Sequence, residues 1–84
     1  MVELIILQNQ LSALKNKLAI KQSRLNMYRN FKFEILDLVE FSAKEKEVLL
    51  ELNTLVFEFE IQVKKIELEI MYCEKEIESL ARVV

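Results

Sequence analysis

Residues Leu49–Val84 read LLELNTLVFEFEIQVKKIELEIMYCEKEIESLARVV. Taken at alternating steps of three and four, this stretch gives Leu49, Leu52, Val56, Phe59, Val63, Ile66, Ile70, Cys73, Ile77, Leu80 and Val84, every one apolar. An α-helix turns once per 3.6 residues, so side chains at this spacing line one face. A period of 3.5 sustained over about five heptads is the seam of a coiled coil. In heptad letters abcdefg, Leu49 is a and Leu52 is d.

The first half has a seam of its own: Leu4, Leu7, Leu11, Leu14, Leu18, Lys21, Leu25, Tyr28, Lys32, Ile35 and Val39. Leu4 is a and Leu7 is d. The two registers do not join, so one continuous helix would put the stripes on different faces. A turn between the halves resolves the conflict. Antiparallel helices set an a residue of one opposite a d residue of the other. With the turn at the chain midpoint, the layers run Leu4/Leu80, Leu7/Ile77, Leu11/Cys73, Leu14/Ile70, Leu18/Ile66, Lys21/Val63, Leu25/Phe59, Tyr28/Val56, Lys32/Leu52 and Ile35/Leu49. The midpoint residue is Ser42, and Ser42 with Glu45 forms the pattern of a capping box, a helix-start signal. The expected fold is all-α: residues 1–84 as one antiparallel two-helix coiled-coil hairpin, assembling further into a helical bundle. Helix 1 is expected over about 2–40, the turn at about 41–43 and helix 2 over about 43–83, each helix roughly 57–60 Å long. Two alternatives remain at this point. The helices can slide by one heptad, which pairs Arg29 with Glu60 and Lys15 with Glu74. A turn near Asn30 would give a shorter first helix and a third segment.

Composition agrees. The 84 residues allow one small domain. Glycine and proline are both absent, and these are the usual residues of tight turns and hairpins. Net charge is −2. Residues 1–41 hold six Lys/Arg against four Asp/Glu, and residues 42–84 hold six against ten. On the seam flanks, e and g positions from Gln8 to Arg29 carry no acid, and those from Glu60 to Glu76 carry no base. The hairpin thus faces Lys15 with Glu67 and Lys17 with Glu69, whereas parallel self-pairing would oppose like charges.

Catalytic chemistry finds no support. Histidine is absent, so there is neither an imidazole base nor a His metal site. Without glycine there is no phosphate-cradling loop. Carboxylate pairs such as Glu67/Glu69 sit on a helix flank rather than in a cleft. Cys73, the single cysteine, falls on a d position and reads as a small buried apolar side chain. It cannot form an internal disulfide, and the apolar run Leu4–Leu7 is too short for a signal core or a membrane span. A cytoplasmic protein is expected, with no enzymatic activity, cofactor or metal. Lys21 and Lys32 on the seam either snorkel toward glutamates or fix register. The basic run from Lys15 to Lys32 is explained by the acidic flank of helix 2, so nucleic acid is not the expected partner.

The informative feature is apolar excess: 52% of residues, where a two-stranded coiled coil needs two positions in seven. Helix 1 has a clean polar f face but an apolar c stripe, Ile6, Ala13, Ile20 and Met27. Helix 2 carries a second stripe of Leu50, Phe57, Ile61, Leu68, Met71 and Tyr72. Phe31, Phe33, Leu36, Leu38, Phe41 and Leu55 thicken the surface near the turn. A lone hairpin cannot bury all of this, and such patches mark interfaces. The partner-interface residues expected on this basis are Ile6, Ile20, Met27, Phe33, Phe41, Leu50, Phe57, Ile61, Leu68, Met71 and Tyr72. The partner is a second copy, a dimer being favoured, or a helix of another protein. The expected function is a self-associating interaction module that presents an apolar flank. The alternative is a small chaperone or adaptor, like those of secretion systems, that shields an aggregation-prone helix.

Overall fold

The computed structural model describes residues 2–37 and 42–83. Two helices account for them, α1 over Val2–Leu36 and α2 over Ala43–Val83, packed antiparallel as a hairpin. The rod measures 63 × 14 × 14 Å, a length close to that of α2 alone.

Both helix ends near the turn follow from local chemistry. Ser42 Oγ accepts a hydrogen bond from the Glu45 backbone N–H at 3.3 Å, and the Glu45 carboxylate accepts from the Ser42 backbone N–H at 2.6 Å. The Ser42 hydroxyl also donates to that carboxylate. These contacts satisfy otherwise orphaned donors of the first turn, and the Glu45 charge complements the helix dipole. α1 stops at Leu36, with a final backbone bond from Asp37 N–H to Phe33 O at 3.1 Å. The last turn carries Glu34 but no base, followed directly by Asp37, and negative charge at a helix C-terminus opposes the dipole. The segment 38–40, assigned to helix 1 from the sequence, and residue 41 of the turn lie outside the described residues.

Burial follows the seam. In α2, Leu52, Val56, Phe59, Val63, Ile66, Ile70 and Cys73 are buried, with Leu49, Ile77 and Leu80 half-buried. In α1, Leu25 and Ile35 are buried, while Leu4, Leu7, Leu11, Leu14 and Leu18 are half-buried. The core is densest where Leu25 meets Val56, Phe59 and Val63, with Leu18 and Tyr28 packed against it. The Tyr28 and Phe59 rings meet at a centroid distance of 5.3 Å, tilted by 45°.

These contacts also fix the register. Cys73 Sγ–H donates to the Leu7 carbonyl oxygen at 3.3 Å, and that carbonyl points along α1 toward Leu11. Lys21 Nζ lies 5.3 Å from the Phe59 ring centre. Sliding by one heptad would carry Cys73 to the level of Leu18, about 16 Å from Leu7. The helices therefore pair about the chain midpoint. Lys21 does what a seam lysine can do without a buried charge: its stem lies in the layer, and its ammonium sits over an aromatic face.

Candidate interaction surface

A two-helix rod has one seam, and each helix keeps most of its circumference in solvent. The accessible surface is 6594 Å², against about 5,200 Å² for a compact protein of this mass. Ten residues assigned to a partner interface from the sequence lie among the described residues, and all ten are 40–67% exposed. They are Ile6, Ile20, Met27, Phe33, Leu50, Phe57, Ile61, Leu68, Met71 and Tyr72. The eleventh, Phe41, lies outside the described residues. Val2, Ile5, Phe31 and Leu36 are exposed as well. Phe31 and Leu36 belong to the apolar surface near the turn. Ile5 is a b residue of α1 that escapes the stripe reading because the next b positions are Ser12, Ala19 and Asn26.

The exposed side chains do not form one face. On the e flank of the seam, an open groove of about 890 Å³ runs between the helices. Leu25 and Val63 are its floor, Phe57, Ile61 and Leu68 line it from α2, and Gln22, Asn26 and Arg29 line it from α1. Arg29 closes one point of it with a 2.8 Å bond to Glu60. On the g flank, near the N-terminus of α1, a second groove of about 540 Å³ is lined by Ile6, Leu7, Gln10, Glu76 and Leu80. The α1 c stripe and the α2 outer stripe thus open on opposite sides of the rod.

The flank charges are arranged differently from the expected pairs. Glu67 is engaged by Lys64 of its own helix at 3.6 Å rather than by Lys15. Lys17 and Glu69 border a shared shallow groove without an ion pair, and the one interhelical salt bridge among the described residues is Arg29–Glu60, a pair named above for the slid register; with the seam paired about the midpoint, Arg29 reaches Glu60 along the flank. Both of its side chains are more than two-fifths exposed, so it contributes well under 1 kcal/mol.

The described residues hold no buried polar side chain and no group of three or more acidic, cysteine or histidine residues placed to bind a metal. Among them, no helix is long and apolar enough to cross a membrane. What the surface offers is apolar area in two grooves with polar rims. No protein-family model, curated protein or solved structure matches this chain.

Proposed function

We propose that this chain is a non-enzymatic protein–protein interaction module: a coiled-coil hairpin that self-associates and presents an apolar flank to a helical partner. One observation carries the reading. The intramolecular seam accounts for the buried side chains, yet the second set of large apolar side chains stays in water. Nothing inside the hairpin requires Phe57, Ile61 or Leu68 to be apolar, and an interface does. The proposal includes a cytoplasmic setting, because a lone cysteine gives no sign of an oxidising compartment.

The second reading, a small chaperone or adaptor, draws on the opposite placement of the two stripes. A dimer that covers the α2 stripe leaves Ile6, Ile20 and Met27 of α1 free for another chain. Size-exclusion chromatography with light scattering on the pure chain tests the proposal. A defined oligomer whose mass rises with concentration is expected. A monomer–aggregate mixture that becomes soluble only on co-expression with a partner supports the chaperone reading instead. A well-behaved monomer at all concentrations overturns self-association.

A further inference from the structure

The outer face of α2 carries a second three-four seam. At b and f positions between 50 and 68 the helix places Leu50, Thr54, Phe57, Ile61, Lys64 and Leu68. The four apolar members are separated by seven, four and seven residues. This spacing reads the same from either end, about a midpoint at the level of Phe59. All four side chains are exposed. Such self-complementarity is what a two-fold axis demands, because residue i must meet j while j meets i.

We infer that this face takes a second copy of the same chain, with the two α2 helices antiparallel across a two-fold axis at the level of Phe59. The inference rests on the interaction-module reading above and names the occupant of that surface. In this pairing b positions meet f positions, as a meets d within the hairpin. Leu50 meets Leu68 of the partner subunit, Phe57 meets Ile61 of the partner subunit, and Thr54 meets Lys64 of the partner subunit. A parallel pairing would instead set Lys64 against its own copy, a like-charge contact. At the rim, Glu51 faces Lys65 of the partner subunit on both sides of the axis, and Glu58 meets its own copy at the axis. On the opposite rim Glu60 also meets its own copy, each Glu60 already paired with Arg29 of its own hairpin; the two Glu51–Lys65 contacts offset the contact at Glu58.

Area sets the strength. From their fractional exposure, the four apolar side chains offer roughly 400 Å² per copy, within the range of functional surface patches. Two such patches and their rims come to about 1,000 Å², the low end for a specific interface. The dimer is therefore in exchange with monomer rather than obligate.

The test uses the full chain with Cys73→Ser as background, carrying Thr54→Cys in one preparation and Lys64→Cys in another. Both sites lie on the seam, and neither substitution removes one of the four apolar side chains. Antiparallel pairing brings residue 54 opposite residue 64, whereas two copies of either residue stand about 15 Å apart along the axis, beyond disulfide reach. Mild oxidation of the mixture is expected to give covalent dimers on a non-reducing gel, and each preparation alone is expected to stay monomeric. Crosslinking of the single preparations alone would overturn the antiparallel axis while leaving self-association intact. An oligomer by light scattering with no crosslink in any preparation would place the contact on another face and overturn this inference alone. Monomer mass throughout, with no crosslink, would overturn both the inference and the self-association on which it rests.

Discussion

Replacing Ile66 and Ile61 by alanine, one at a time, separates the hairpin's core from its outer surface with the chemistry held constant. The two residues are the same type, in the same helix, five positions apart. Ile66 is 3% exposed and Ile61 is 42% exposed. Truncation to alanine removes three carbons, worth about 2.4 kcal/mol when fully buried. At Ile66 the surrounding layer leaves a partial void, which raises the loss to about 3 kcal/mol or more. At Ile61 roughly half of the transfer term applies and water fills the gap, leaving about 1.2 kcal/mol. Alanine favours helix over isoleucine by about 0.4 kcal/mol at both sites. The net expectation is a loss of about 2.5–3 kcal/mol for Ile66→Ala and about 0.5–1 kcal/mol for Ile61→Ala. In a domain of this size each 1 kcal/mol moves Tm by about 4–8 °C, so the two variants should melt about 10 °C apart. Thermal unfolding followed by circular dichroism is the assay, at dilutions where Tm no longer depends on concentration. Equal shifts for the two variants would refute the assignment of seam and outer face.

Three further outcomes follow from particular contacts. Ser42→Ala removes the cap and its reciprocal bonds with Glu45, and should lower stability by about 1 kcal/mol in urea unfolding. Arg29→Ala should cost less than about 1 kcal/mol at low salt, apart from its packed stem, and the difference from wild type should shrink as salt is added. Cys73 is buried against the Leu7 carbonyl, so its reaction with an aromatic disulfide reagent should be slow in the folded chain and rapid in denaturant; equal rates in both would mean that the far end of the hairpin is open.

Much of the fold was legible in the sequence because the seam is a one-dimensional signal. From Leu4 to Ile35 and from Leu49 to Leu80, every seam position is buried or half-buried. Ser42 and Glu45 announced the start of α2 through their own side chains. Depth of burial was less legible. Periodicity gives the direction of a side chain but not how much of it a single neighbouring helix covers, so Leu4–Leu18 are only half-buried. At the end of α1, Glu34 and Asp37 act against the helix dipole, a weaker signal in sequence than the hydrophobic repeat. Ion pairing was hardest to read, because long exposed side chains choose among partners of nearly equal energy. Glu67 has Lys64 within its own helix, and Arg29 reaches along the flank to Glu60. For the candidate surface, the pattern disclosed which side chains had no use inside the hairpin. Heptad position also set the c stripe of helix 1 and the outer stripe of helix 2 on opposite flanks, as the grooves have them; which of these side chains line a groove depends on how the two helices pack.

The direct test of the proposed role is the mass in solution of a variant carrying Phe57→Lys and Leu68→Lys. Both residues are more than half or about half exposed in the single hairpin, so the helices should form as before. Desolvating two lysines in an apolar contact costs several kcal/mol, more than an interface of about 1,000 Å² can lose. Wild type at tens of micromolar is expected to approach twice the 10.0 kDa monomer mass by light scattering, and the variant to stay at 10.0 kDa with an unchanged helical circular dichroism spectrum. A variant that keeps the wild-type oligomeric mass would contradict the assignment of the outer face of α2 as the contact surface.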